Sequence, residues 1–396
     1  MQQNEVLFQA LELPCGVVLK NRIAKSATSD SLGDGTGHPT PEQNRLYQRW
    51  AEGGLAVSII GEVQATSHFA EKPGNLVLHA VSDLNKFRDL AAHGSQNGPQ
   101  LWLQLGHAGA LAYAPISNPK GPSALDLPSL RCEALTQDEI HQVSADFAKT
   151  AILAKRAGFG GVQIHAAHGF LLSQFLSPLF NKRRDGYGGS IANRMKLLLE
   201  TIEATRAAVG PHFPIAVKLN SSDQLEGGLG EDDALQVVSA LDTSSVDLID
   251  ISGGTYFPGA KSASDSAGSG PYFIAFAKRA RTVRSKPLML TGGFKTRSQA
   301  AEAVTSGAVD IVGLARALVL EPALPNLWMK DQTPEPAFPR FSDAPEGGVT
   351  AWYTMRLTEI GADKETDEAG DLGQAIENYQ TRDDIRTEIW LRHFES

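Results

Sequence analysis

Between residues 23 and 320 eight short apolar runs alternate with longer amphipathic stretches, an order that few folds can accommodate. The runs are 23–28 (IAKSAT), 55–61 (LAVSIIG), 100–105 (QLWLQL), 161–165 (GVQIH), 214–219 (PIAVKL), 247–252 (DLIDIS), 287–291 (PLMLT) and 309–313 (VDIVG). Each has the length and character of a buried strand. Helix-start signals stand between them. Thr40-Pro41-Glu42-Gln43 aligns a cap, a first-turn proline and a capping-box glutamine. Thr136 with Glu139 opens a helix whose Ile140, Val143, Phe147 and Ala151 share one face, and Gly158 ends it. Ser190 precedes a long segment at 191–209, and Thr296 with Gln299 repeats the capping pattern. Eight strand–helix units predict an α/β chain folded as a (β/α)8 TIM barrel. A doubly wound sheet alternates in the same way, but no GxGxxG follows the first strand, and neither a GxxxxGK[ST] loop nor a GxSxG elbow occurs.

The flanks differ from this core. Residues 6–20 predict a short hairpin turning at Pro14-Cys15-Gly16 and closing the barrel's lower end. Past 320, Pro322, Pro325, Pro334, Pro336 and Pro339 mark an irregular connector, followed by helices at 348–361 and 373–394 around a charged loop at 362–371. The expected division is a barrel over 1–330 and an extension over 331–396, mostly helical, packed on the barrel or in a homo-oligomer contact. A net charge of −9 excludes a phosphate-tracking face for nucleic acid, and Asp185 directly follows the one basic cluster, Lys182-Arg183-Arg184. Cys15 and Cys132, far apart and without CxxC spacing, argue against a disulfide scaffold, a zinc site or an iron–sulfur cluster, and for a reducing compartment. The N-terminus lacks a signal-peptide pattern and no run approaches the ~18 apolar residues of a membrane helix, so the expectation is a soluble, cytoplasmic protein.

In such a barrel, function gathers at the C-terminal ends of the strands. There stand Ala27, Thr28 and Ser29, then Glu62 and Val63, Gln104, His165 with His168, Lys218, Ser252-Gly253-Gly254, Thr291-Gly292-Gly293, and Gly313 to Arg316. Small residues after strands seven and eight let backbone N–H groups approach an anion, and Arg316 adds a bidentate donor, which together make a phosphate site. Gln104 both donates and accepts, as a heterocycle edge requires, and Lys218 supplies positive charge. The pocket suits a phosphorylated, electron-accepting heterocycle. Against this stand a Schiff-base role for Lys218 and a metal held by His165, His168 and Glu62; the latter ranks low because a two-histidine site wants more ligands.

The stretch His165-Ala-Ala-His168-Gly-Phe-Leu-Leu-Ser-Gln-Phe-Leu-Ser-Pro178, continued by Asn181-Lys-Arg-Arg-Asp185-Gly-Tyr-Gly-Gly-Ser-Ile-Ala-Asn-Arg194, resembles the old yellow enzyme family. Leu19-Lys-Asn-Arg-Ile23, Gln104-Leu-Gly-His-Ala-Gly109 and Gly313-Leu-Ala-Arg316 support the resemblance, which spans residues 5 to 330. It implies an FMN-dependent oxidoreductase that takes hydride from NAD(P)H and reduces the C=C bond of α,β-unsaturated carbonyl compounds. It implies flavin contacts from Ala27, Thr28, Ser29, Val63, Gln104 and Lys218, the last standing where the family usually has arginine. The flavin phosphate falls to Gly292, Gly293, Ala315 and Arg316. His165 and His168 correspond to the pair that binds the substrate carbonyl, with Phe170, Tyr256, Trp102 or Phe257 as pocket lining.

One departure bears on mechanism. Where the family usually carries a tyrosine that protonates the α-carbon, this chain has Phe170, which has no proton to give. Water or Tyr256 donates instead, or the substrate needs no donor, or the flavin serves a double-bond isomerase or an oxidase. From another class, a flavin-free phosphate-binding aldolase or a ligand-binding barrel stays open. The loops at 106–135 and 254–272 are long enough to act as lids.

Overall fold

Eight parallel strands close on themselves in the computed structural model, which describes residues 3–257, 260, 270–332, 335–366 and 370–394. β1 (Ile23–Thr28) pairs with β2 (Val57–Gln64), β2 with β3 (Gln100–Gly106) and β3 with β4 (Gly161–Ala166). The ring continues through β5 (Ile215–Asn220), β6 (Leu248–Ser252) and β7 (Leu288–Thr291) to β8 (Ile311–Leu314), which returns to β1 through Val312↔Ile23. Every predicted run is a strand, its ends displaced by a few residues, and the fold is the expected TIM barrel.

Each strand leads into a helix: α1 (Pro41–Glu52), α2 (Leu84–Gly94), α3 (Gln137–Ala157), α4 (Lys196–Val209), α5 (Glu231–Thr243), α6 (Ile274–Arg281), α7 (Arg297–Thr305) and α8 (Arg316–Leu320). The capping box of α3 forms reciprocally between Thr136 and Glu139, and Gly158 ends the helix in the left-handed region at φ 91. At α1 only half of the expected box forms. Thr40 accepts from the Gln43 backbone N–H, but the Gln43 amide turns to the buried carboxylate of Asp30 at 2.9 Å. The 191–209 segment is not one helix. A short turn over Ile191–Arg194 precedes α4, and the break coincides with the buried Arg194, which is tied to the Leu176 carbonyl and the Asp233 carboxylate.

The lower end is closed as expected. Leu11–Glu12 pairs antiparallel with Val18–Leu19 across a turn at Gly16, whose φ is 86. Leu13, Cys15 and Leu19 pack there against Ala24, Ile59, Trp102, Leu248, Met289 and Ile311. Two expectations change at this end. Residues 3–8, which include the predicted start of the hairpin, form a 3₁₀ turn against α7. Trp102, expected near the pocket, is fully buried in the base, because it lies two residues before Gln104 on the same inward face.

The predicted C-terminal helices are present as α9 (Gly348–Gly361) and α10 (Leu372–Phe394). Past the end of α9, Asp363 binds Arg45 and Arg49 of α1 at 2.8 and 2.6 Å. From α10, Trp390 is buried with Ala70, Val77 and Ile116. The 106–135 connection contains a small sheet of three strands, Lys120–Gly121, Leu125–Leu127 and Leu130–Ala134. Most of the 254–272 segment, residues 258–259 and 261–269, lies outside the described residues, so the expected lid there is not part of the structure. Among the described residues no helix is long and apolar enough to cross a membrane.

Candidate active site

Two residues above the apolar base, the inward face of the barrel turns polar. Gln104 donates to Gln163 Oε1 at 2.7 Å, and Gln163 donates to Asp250 Oδ2 at 3.0 Å. Lys218 Nζ stands 2.5 Å from the same oxygen, with both side chains almost completely buried. Thr291 donates to Asp250 Oδ1 at 2.8 Å and meets Ser26 at 2.9 Å. Gln104 and Lys218 were expected here, and Thr291 stands among the strand ends read from the sequence; Gln163, Asp250 and Ser26 were not expected. Their signal was a polar side chain inside an otherwise apolar strand, on the face already assigned inward. The ammonium of Lys218 is therefore neutralised within the layer rather than free, since a buried charge without a partner costs several kcal/mol, order of magnitude.

The histidines stand at the mouth. The rings of His165 and His168 meet edge to face with centroids 5.2 Å apart. Phe170 lies 4.8 Å from His165, and Tyr256 lies 5.7 Å from His168 and 5.8 Å from Phe170. Burial holds the His165 imidazole down to about 3, helped by the positive charge of Lys218 and opposed by Asp250. His168 is pushed well below the ordinary range by burial, His165 and Lys218. Both rings are neutral at neutral pH, so each offers one N–H donor. His165 Nδ1 accepts the Ala167 N–H at 3.3 Å, which leaves the proton on Nε2. His168 Nε2 is 2.8 Å from Ser252 Oγ; when that hydroxyl donates, Nδ1 carries the proton of His168.

Glu62 faces this pair from β2, with its Oε1 3.3 Å from His165 Nε2. Sequence reasoning weighed it only as a metal ligand. Among the described residues, no three His, Cys, Asp or Glu side chains converge as metal ligands would. Glu62 and His168 both hold left-handed backbone, φ 61 and 59, which costs a non-glycine residue energy and recurs at functional sites.

Around the rim, Ala27, Thr28 and Ser29 end β1, with Thr28 exposed at the open mouth, and the buried Val63 lies near the end of β2. Gly292 and Gly293 follow β7 at φ 115 and 83. A Cβ on Gly293 would lie 2.1 Å from the Gly270 carbonyl oxygen, so only glycine fits. Thr291 pairs with Gly313, which sets this turn beside Ala315 and Arg316. Arg316 has no carboxylate within ion-pair distance among the described residues, and its guanidinium lies over the Tyr353 ring of α9 at 5.0 Å. An unpaired guanidinium beside two left-handed glycines suits a phosphate, and the polar layer beneath an open mouth suits the edge of a polar heterocycle. These are the features a flavin mononucleotide requires.

A cavity of about 420 Å³ opens beside the aromatic cluster, bounded by Glu71, Lys72, Leu111, Tyr113, Phe170 and Tyr256. A second, of about 370 Å³, lies between α3 and the segment after β2, and none of the predicted site residues lines it. His107 lines it and is stacked on Phe69 at 4.0 Å, away from the histidine pair. Phe257 is also withdrawn from the mouth, buried and stacked on Phe180 at 3.8 Å.

The family model described as "NADH:flavin oxidoreductase / NADH oxidase family" matches residues 6–333. The "NADH-dependent flavin oxidoreductase iliE" of Hypocrea jecorina (strain QM6a) is 35% identical over 357 residues, covering 81% of this chain and 88% of that protein. Its namesake from Neonectria sp. (strain DH2) is 35% identical over 352 residues, 80% of this chain, but the match spans 46% of that longer protein. Among solved structures, the old yellow enzyme homologue from Zymomonas mobilis superposes with TM-score 0.72 at 23% identity, over 88% of this chain and 98% of that one. A 2-naphthoyl-CoA reductase superposes with TM-score 0.78 at 24% identity, over 83% of this chain and 53% of that one. At such identities the superpositions speak for the fold.

Proposed function

The chain belongs to the NADH:flavin oxidoreductase / NADH oxidase family, and from that premise we propose that it binds FMN, takes electrons from NAD(P)H and reduces activated alkenes conjugated to a carbonyl. The observation that carries this reading is the pair of neutral imidazoles, 5.2 Å apart, at the mouth of the barrel beside an aromatic-lined cavity. Bound FMN would supply the redox chemistry, a hydride accepted from NAD(P)H and passed on to the alkene. Gln104 and the Lys218–Asp250 pair lie where they would meet its ring; Ala27, Thr28, Ser29 and Val63 would frame it, and Gly292, Gly293, Ala315 and Arg316 would hold its phosphate.

His165 and His168 orient the substrate through its carbonyl oxygen. As the β-carbon gains hydride, negative charge grows on that oxygen, and hydrogen bonds from uncharged donors strengthen as it does. They therefore act more on the transition state than on the bound substrate. The buried Phe170 supplies an apolar wall beside the histidines, and Tyr256 stands at the exposed rim. The aldolase alternative is disfavoured, because the Lys218 amine is buried against a carboxylate and would have to leave it to attack a carbonyl. Isomerisation or oxidation without net alkene reduction rests on Phe170 and is separated by the same experiment.

That experiment is anaerobic reoxidation of the NADH-reduced protein by cyclohexenone, followed in the flavin absorbance band. We expect the oxidised spectrum to return with formation of cyclohexanone. A flavin that reduces but stays reduced would sink alkene reduction of this substrate class, and a colourless protein that takes up no FMN would sink the cofactor assignment.

A further inference from the structure

Reduction of a conjugated alkene needs a hydride at the β-carbon and a proton at the α-carbon. Phe170 cannot supply the proton, and no hydroxyl stands in its place on that turn. The nearest acidic group to the histidines is Glu62. It is 4% exposed, its Oε1 is 3.3 Å from His165 Nε2, and its Oε2 is buried without a hydrogen-bond partner. The direction of these bonds is informative. Because His165 Nδ1 accepts from the Ala167 backbone, the ring proton is on Nε2 and points to Glu62 Oε1. A protonated Glu62 then carries its hydrogen on the other oxygen, Oε2, the one without a partner. That oxygen lies over Gly106 at the end of β3, where a Cβ would come within 3.0 Å of it, and its proton has no acceptor to hold it.

We propose that Glu62 is the proton source of the alkene-reducing half-reaction, in the post that Phe170 leaves empty. The proposal rests on the alkene reductase reading. In the step, the Glu62 O–H bond breaks and a C–H bond forms at the α-carbon. The hydride that completes the reduction comes from the flavin reduced by NADH, and the carboxylate left on Glu62 regains a proton from solvent. While the Nε2–H of His165 points to Glu62 Oε1, the N–H left for the carbonyl as the proton moves is that of His168, whose Nε2 faces Ser252.

The surroundings keep this acid loaded. Burial pushes the Glu62 carboxyl up to about 8, and Glu71, its neighbour in charge, is raised by burial and by Glu62 itself. Lys72 and Asp383, the latter on α10, act on Glu71 with opposite signs, and the Glu62 and Glu71 carboxyls both act on Tyr256. Behind His165 the Lys218–Asp250 pair has no net charge. With a folded value above that of an ordinary carboxylic acid, Glu62 is protonated at neutral pH and ionises as the pH rises through about 8. Two effects then coincide: the proton is gone, and a negative charge sits beside the donors meant for an enolate.

Glu62→Gln keeps the shape and a carbonyl oxygen for His165 but has no acidic proton. We expect its reoxidation by cyclohexenone to slow about 10²–10⁴-fold, the range for loss of a general acid, with a large part of the deficit restored by adding Phe170→Tyr. The wild-type rate should fall above pH about 8, and Glu62→Gln should lose that limb. Independently of turnover, the infrared spectrum of the wild type at neutral pH should contain a protonated-carboxyl C=O stretch that Glu62→Gln lacks. A Glu62→Gln variant that reoxidises at the wild-type rate with the same pH profile overturns the proposal and leaves alkene reduction standing. A slow variant that Phe170→Tyr does not rescue, without a missing infrared band, also overturns it. A wild type that never reoxidises with the enone fails at the earlier reading instead.

Discussion

The base and the mouth of this barrel are built from the same strands, two residues apart. Ala24, Trp102, Ala216, Leu248, Met289 and Ile311 pack together below. Ser26, Gln104, Lys218, Asp250, Thr291 and Gly313 follow them by two positions, on the same inward face, and make or border the polar layer. In the base, close apolar contact does the stabilising. In the polar layer Gln104, Gln163, Asp250, Lys218, Thr291 and Ser26 hold one another, the backbone above is strained at Glu62 and His168, and a Cβ on Gly313 would press to 2.4 Å from Ser26 Oγ. One pleat repeat thus divides the part that keeps the barrel shut from the part that does chemistry. Substitutions two residues apart on one strand should have separable effects.

The largest effect belongs to the base. Trp102→Ala removes a fully buried indole, and we expect a stability loss of about 3–5 kcal/mol in denaturant unfolding of the flavin-free protein. At a temperature where the variant is still folded, it should bind FMN as the wild type does. A variant that unfolds normally but has lost the flavin would erase the division between the two layers.

The next effect separates layer from layer by charge. Asp250→Asn leaves the buried charge of Lys218 with an amide where its carboxylate was, and should cost about 3 kcal/mol or more, the penalty for breaking a buried ion pair from one side. Adding Lys218→Met should recover most of that loss, since the charge without a partner is then gone. Chemical denaturation of the four proteins of this cycle measures the coupling. Strict additivity would mean that the pair is not a unit and that the mouth is stabilised as the base is.

The sequence made much of this visible, and its failures have physical causes. Strand positions were legible because each apolar run is short and bounded by turn or cap residues, and the helices at 348–361 and 373–394 emerge from an irregular connector. Gln104, Lys218, His165 and His168 converge because barrel geometry brings strand ends to one mouth whatever the loops do. The partners were not legible. Gln163 and Asp250 are 87 residues apart, and Gln104 and Gln163 are 59 apart, so only the alignment of β3, β4, β5 and β6 in one sheet brings them together. The contact of Glu62 with His165 likewise reaches from β2 over β3 to β4. Trp102 is a different case: its direction follows from Gln104 by simple alternation, and its placement in the pocket was an error of reading rather than a lack of signal.

The smallest effect lies at the rim, where the mouth meets the C-terminal extension. Arg316→Ala removes a guanidinium that has no carboxylate partner among the described residues and lies over Tyr353. If this charge holds the flavin phosphate, FMN affinity should fall by about tenfold or more, the worth of ~1.5 kcal/mol for a hydrogen bond to a charged group. Riboflavin, which has no phosphate, should bind the variant and the wild type alike in fluorescence titrations of the flavin-free protein. Tyr353→Ala should weaken FMN only a few-fold, in line with roughly 0.5–1 kcal/mol for an exposed cation–π contact, because it steadies the arginine without touching the ligand. Equal losses for FMN and riboflavin in Arg316→Ala would mean that the side chain holds the rim together. The mouth would then depend on the extension for its shape, and the boundary between structure and chemistry would run around the barrel as well as across it.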